Sequence, residues 1–350
     1  MDVRLSGEQR ALRDSVTQLV DRLGPDAVRD LDDAERAAKL DAAIAAAGWR
    51  DLRVEDETAA ILGQTRPPLA SGVEVGIIAE QLAGGVADTA FIGPVLAADL
   101  RRRADAPPVA GETVAFTADL AELARASGAV LTDAAIAVDA AEATSALVLS
   151  ADGGLAQVPL GVGATGVDLT RRVVDLPAGS PVTRLPGRGS ALSPDDLLQW
   201  TALGLALTCA DLVGVMRGGV RLARDYAQTR HQYGAAIGSF QSVQHLLADA
   251  QVAAEGSASI ALHAAWAVDE LAPAKAVAAG AAAKAYCARA ARAVSETVIQ
   301  VHGGIGNTWE CMAHVFLRRA LVSTDLFGGV GANLARVLDH SAIGAGVELP

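Results

Sequence analysis

The chain is poor in aromatic residues: Phe, Trp and Tyr together make up 3 % of its 350 positions. A core without many large rings must be aliphatic, and the alanine and leucine that dominate here both favour helix. Cysteine is scarce too. Cys209, Cys287 and Cys311 are widely spaced and form no CxxC pair. Neither a disulfide framework nor a thiolate metal site fits that pattern, and a reducing cytoplasm does. Positive charge is also short: 29 Lys and Arg against 41 Asp and Glu give a formal net charge of −12. Such a surface repels phosphate backbones and argues against nucleic acid as a partner. Local arginines can still hold a nucleotide cofactor. The apolar stretches carry Asp, Arg or Gly too often to read as spanning helices. Met1-Asp2-Val3-Arg4-Leu5 has no signal-peptide pattern.

What is present is helical periodicity, interrupted once. Ser6 is positioned to cap a helix on which Leu5, Leu12, Val16, Leu19 and Leu23 recur near helical spacing. Further helices are expected over 34–47, where Gly48 is the stop and Trp49 a packing anchor, over 73–84, and after Pro94. Beyond Pro107-Pro108 the pattern shortens. Runs such as Val114-Ala115-Phe116, Ala146-Leu147-Val148-Leu149 and Arg172-Val173-Val174-Asp175-Leu176 are punctuated by Gly, Asp and Pro, which reads as strands. Ser193-Pro194 then marks a helix start. Long helices are expected at 194–229, 239–270, 273–301, 308–323 and 329–340, an antiparallel bundle. The division is an N-terminal helical domain (1–105), a shortened middle β-domain (106–190) and a C-terminal helical bundle (191–350).

Two segments carry chemistry. The first, Tyr226-Ala227-Gln228-Thr229-Arg230-His231-Gln232-Tyr233-Gly234, continues through Ile237 and Phe240-Gln241 to Leu247-Ala248-Asp249. Arg230 can pair with a phosphate, Tyr233 can stack on a flat ring, and Gly234 permits a close turn. The second, Gln300-Val301-His302-Gly303-Gly304-Ile305-Gly306-Asn307-Thr308-Trp309-Glu310, is a glycine-rich turn between helices. Thr308 is a candidate cap for the second helix, with Glu310 in its first turn. Free N–H groups at such a start favour an anion. Each segment alone is also compatible with a plain interhelical loop.

Together the two segments resemble the C-terminal signatures of the acyl-CoA dehydrogenase family. The family pattern of Tyr-Ala, Arg, aromatic-Gly, Ile, Phe-Gln and Leu-Ala-Asp is present nearly in full, as is its Gln-x-x-Gly-Gly-x-Gly turn. Residues 309–319, ending in Arg318-Arg319, also fit, and Gly48-Trp49, Ile78-Ala79-Glu80 and Pro94-Val95-Leu96 agree more loosely. The resemblance implies a mainly α fold with a β-barrel-like middle domain and a C-terminal four-helix bundle, and FAD as cofactor. In that family the flavin ring lies between the middle domain and the bundle, while the nucleotide end reaches a neighbouring subunit. The residues matching that neighbour's role are Arg230, Gln232, Tyr233, Ile237, Phe240, Gln300, Gly303 and Gly304.

The chain departs from the family where the chemistry is done. The Thr-Glu-Pro-x-x-Gly-Ser-Asp loop and the Trp-Ile-Thr-Asn strand, which hold the ring and the thioester, have no counterpart in 105–190. The usual glutamate base stands in a Tyr-Glu-Gly-Thr segment. The matching stretch here is Leu326-Phe327-Gly328-Gly329-Val330-Gly331, so Gly328 takes the glutamate position. A minority of members carry the base on the first bundle helix, and counting back from Arg230 puts that position at about Gly204. Glycine cannot accept a proton. Asp211, two turns further on, is the best substitute. Glu296, Asp249 and Glu310 read as structural or surface residues, and His302 as a packing residue or a cofactor donor.

This one-sided loss resembles the short, base-lacking subunit of actinobacterial α2β2 enzymes that act on steroid side-chain CoA thioesters. The implied partners are a longer acyl-CoA dehydrogenase subunit bearing the base, an acyl-CoA substrate and an electron-transfer flavoprotein. Two other readings stay open: a self-sufficient homomer with a displaced base, and a flavin-free scaffold.

Overall fold

The computed structural model describes residues 4–58, 67–185 and 191–341. Among the described residues, four α-helices come first: α1 (Gly7–Leu23), α2 (Ala34–Ala46), α3 (Gly72–Gly84) and α4 (Ile92–Arg103). Ser6 caps α1 through a reciprocal box with Gln9. Gly48 ends α2 in the left-handed region, at φ +67°, and the following Trp49 is buried. Nine strands follow: β1 (Glu112–Thr117), β2 (Arg125–Ser127), β3 (Val130–Leu131), β4 (Ala135–Ala137), β5 (Ser145–Ser150), β6 (Leu155–Pro159), β7 (Ala164–Thr165), β8 (Arg172–Leu176) and β9 (Thr183–Arg184). Their main order is β3-β2-β5-β1-β4-β8-β7, with β6 joining β5 to β9. The β1–β5 and β2–β5 pairs are parallel and the rest antiparallel.

The strand alternation separates two cores. Ala115, Ala146 and Val148 point into a small core private to the sheet. Val114, Phe116, Leu147 and Leu149 point the other way, into the large core shared with the helices. The bundle is α5 (Pro194–Thr229), α6 (Gln241–Glu270), α7 (Pro273–His302), α8 (Ala313–Asp325) and α9 (Val330–His340). Ser193 caps α5 and Pro194 opens it. By length and composition α5 could cross a membrane, but 94 % of its most apolar window is buried inside the protein. It is the axis of the molecule. Gly214 and Gly218 let α3 press against it: a Cβ on either would fall 2.1 Å from the Glu80 carbonyl oxygen or 2.2 Å from that of Gly84.

One element starts later than its sequence suggests. A helix is expected from Thr308, but α8 begins at Ala313. A 3-10 turn over Gly303–Asn307 comes first. The Thr308 hydroxyl donates to the Ile305 carbonyl, closing that turn instead of capping a helix. Glu310 is therefore exposed outside any helix. Glu296 holds its expected surface place, paired with Arg292 one turn away. Asp249 is exposed on α6.

Candidate functional site

Helix α5 ends at Thr229, and Arg230 caps it in extended conformation. A two-residue hairpin follows, pairing His231–Gln232 (β10) with Ala235–Ala236 (β11). Its turn residues, Tyr233 at φ +52° and Gly234 at φ +79°, both lie in the left-handed region, as the tightest hairpin turns require. For tyrosine that backbone is strained. Tyr233 is also 95 % exposed, its ring edge-on to that of Phe240 with centroids 6.3 Å apart. A strained aromatic held in water is a poor packing solution and a good contact for something else. Arg230 and Gln232 are exposed, and Ile237 and Phe240 are half-buried behind them. Among the described residues, no carboxylate pairs with Arg230 within ion-pair distance.

The glycine turn sits beside this corner. The His302 ring stacks on Tyr226, centroids 4.5 Å apart and planes 26° from parallel. That contact brings the ends of α5 and α7 together. Gly303 (φ +66°) and Gly304 are exposed, and a Cβ on either would meet nothing within 4 Å. Gln300 is exposed as well. The turn is therefore an open cradle of backbone beside a free guanidinium, and this fits a pyrophosphate-bearing nucleotide. The Tyr226–His302 contact puts the segment carrying Arg230, Gln232, Tyr233, Ile237 and Phe240 at the same end of the bundle as the segment carrying Gln300, Gly303 and Gly304.

The two glycines at the glutamate positions meet elsewhere, and the space between them is full. A Cβ on Gly204 would fall 1.9 Å from the Phe327 ring, and one on Gly328 would touch Ala332 at 3.0 Å and the Arg336 guanidinium at 3.3 Å. Phe327 is 1 % exposed. Its ring packs edge-on against Phe116 at 5.0 Å and tilted against Trp200 at 5.3 Å. Phe116 comes from β1 and Trp200 from α5, so the ring fills the seam between middle domain and bundle.

Hydrogen bonds lock that seam. The Phe327 amide donates to the Leu120 carbonyl at 2.8 Å. Arg336 donates to the carbonyls of Phe327 and Ala121. Asn333 Nδ2 donates to the carbonyls of Phe327, Gly328 and Gly329. Lys284 Nζ donates to those of Thr324, Leu326 and Gly328 at 2.6–3.1 Å. Burial pushes the Lys284 ammonium down to about 8, and the three carbonyls satisfy its donors.

Asp211 is no freer to act as a base. It is fully buried. It accepts from Arg171 at 2.5 Å, from Arg319 at 2.7 Å and from the Ser323 hydroxyl at 2.6 Å. Burial alone would raise its carboxyl. The guanidiniums of Arg171 and Arg319 outweigh that and hold it below the usual carboxylate value. Asp139 and Asp168 complete the cluster around Arg171. The void beside it is about 10 Å³, at most one water. Asp211 is a counter-ion tying Arg171, beside β8, to Arg319 and Ser323 of α8, and lacks the room and the basicity for proton abstraction.

Sequence reasoning missed three of these features. Lys284 had a signal, since it is a lone charge on a face shared with Gly280, Cys287 and Ala291. The Tyr226–His302 stack joins residues within both recognised segments, but no spacing announces it. The Phe327 stopper had none, because the same ring would be read as ordinary core.

Fold and sequence now agree on a class: the chain belongs to the acyl-CoA dehydrogenase family. Residues 198–338 match the acyl-CoA dehydrogenase C-terminal domain. The acyl-CoA dehydrogenase IpdE2 of Mycobacterium tuberculosis is 31 % identical over 91 % of this chain and 92 % of its own length. Acyl-CoA dehydrogenase FadE34 from the same organism is 40 % identical over 39 % of this chain. That alignment takes in 19 % of FadE34, so this chain spans a small part of that relative. Among solved structures, a chain of the ChsE4-ChsE5 complex from Mycobacterium tuberculosis superposes with a TM-score of 0.79 at 22 % identity, covering 100 % of both chains. The Tcur3481-Tcur3483 steroid ACAD gives 0.76 at 21 % identity, covering 97 % of this chain and 98 % of its own.

Proposed function

We propose that this chain is the non-catalytic subunit of a heteromeric acyl-CoA dehydrogenase. The cofactor is FAD. Arg230, Gln232, Tyr233, Ile237 and Phe240, with Gln300, Gly303 and Gly304, receive the adenosine–pyrophosphate end of an FAD whose ring sits in a longer partner subunit. That partner supplies the glutamate, and FAD when bound supplies the hydride acceptor. The complex oxidises an acyl-CoA to a trans-2-enoyl-CoA in the cytoplasm and passes its electrons to an electron-transfer flavoprotein. Resemblance to a steroid acyl-CoA dehydrogenase and to the two-component ChsE4-ChsE5 complex supports an α2β2 assembly and a steroid side-chain CoA as substrate.

The chain's own contribution is binding and orientation. Arg230 donates charge-assisted hydrogen bonds to the pyrophosphate. The 303–304 backbone admits it closely, and Tyr233 offers a face to the adenine. None of these groups moves a proton. The observation that carries the reading is the filled seam: Gly204 is packed on Phe327 and Gly328 lies against Ala332 and Arg336, while the nucleotide corner is open. The test is expression alone and with a longer acyl-CoA dehydrogenase from the same genome, followed by flavin absorbance and dehydrogenation assays. The paired complex is expected to hold FAD and turn over. Stoichiometric FAD and full activity in the lone chain would overturn the proposal.

A further inference from the structure

We infer that Tyr226 and His302 form a positioning pair that holds the two nucleotide-binding segments in register, without touching the cofactor themselves. The inference rests on the nucleotide role proposed above. Arg230 hangs directly on Tyr226: its amide donates to the Tyr226 carbonyl at 2.9 Å. Gly303 follows His302 in the chain and leaves α7 with φ +66°. The two rings stack at 4.5 Å, so one aromatic contact joins the segment that carries Arg230 to the segment that carries the glycine turn.

The His302 ring is itself fixed. Its Nδ1 lies 2.8 Å from the Val298 carbonyl, so Nδ1 carries the proton and donates. The side chain is 6 % exposed. Burial lowers its pKa, which keeps the imidazole neutral and flat against Tyr226 near neutral pH. Neither residue is needed to end its helix. Arg230 caps α5 through backbone alone, and Gly303 caps α7 through its own N–H. The stack sets how the two ends face each other. Losing it leaves both binding elements intact and misaligned.

The test uses the FAD-loaded complex with its longer partner, measuring the FAD dissociation constant and the melting temperature of each variant. His302→Leu and Tyr226→Leu are each expected to weaken FAD roughly fivefold to tenfold. The double variant should be no worse than either single one, since both remove the same contact. His302→Phe keeps a stacking ring and is expected within about twofold of the native complex. A shift in melting temperature with an unchanged FAD constant would overturn the inference, and so would additive losses. If His302→Leu fails to assemble, Tyr226→Leu must still show the loss and His302→Phe the rescue. Arg230→Ala separates the two claims. If it weakens FAD and the stack variants do not, only the positioning role falls. If Arg230→Ala also leaves FAD unchanged, the nucleotide role itself falls.

Discussion

Around Gly204 the bundle is solid. A phenylalanine from the α8–α9 connection fills the seam, and lysine, asparagine and arginine donors tie down its backbone. Around Arg230, at the other end of α5, the protein is open. A tyrosine stands in water on a strained turn, and two glycines face empty space. The same scaffold is thus filled around Gly204 and open around Arg230. The contrast teaches that glycine at position 204 is matched by its surroundings: any larger side chain there would collide with the Phe327 ring.

Substitutions can break or sharpen that contrast. Phe327→Ala should have the largest effect. It empties the seam and is expected to cost about 3–5 kcal/mol, read by denaturant unfolding. A cost near zero would show that the seam is not packed as described. Asp211→Ala strands two buried guanidiniums and should cost about 3–5 kcal/mol. Its pH dependence has a definite sign. The carboxyl is held low by Arg171 and Arg319, so in acid the folded state binds fewer protons than the unfolded chain. The contribution is whole above the ordinary carboxylate range, near pH 4, and is lost as pH falls below it. Asp211→Asn should flatten that acid limb, and an unchanged profile would place the acid sensitivity elsewhere. Gly204→Ala forces a methyl into the Phe327 ring and should cost about 1–3 kcal/mol, seen as a lower melting temperature. Tyr233→Ala should be the smallest, within about 0.5 kcal/mol of native stability, while FAD affinity of the complex falls. A large stability loss there would mean the open corner is structural after all.

The bundle was legible in the sequence because its cues are local. Ser193-Pro194 opens α5, Pro273 opens α7, and the apolar spacing between them is helical. The open corner was legible for the same reason: Arg230, Tyr233 and Gly303 sit on short contiguous segments. The sealed corner was only half legible. Gly204 and Gly328 announce that those two positions carry no proton acceptor. What took its place needed Phe116, Trp200 and Phe327 from three separate stretches to converge. Asp211 misled for a related reason. Its position on α5 was read correctly, but its partners Arg171 and Arg319 lie 40 and 108 residues away in the chain. The late start of α8 shows the weakness of cap signals after a glycine run, where a hydroxyl can close a 3-10 turn as readily as it opens a helix.

Helix α5 runs unbroken from Pro194 to Thr229. The step from Gly204 to Arg230 therefore spans about 39 Å at 1.5 Å per residue. At that distance changes at one end should add to changes at the other with little interaction. A rod of that length lets its Gly204 end be packed solid with aromatic side chains while the corner at its Arg230 end stays open, each end blind to the other.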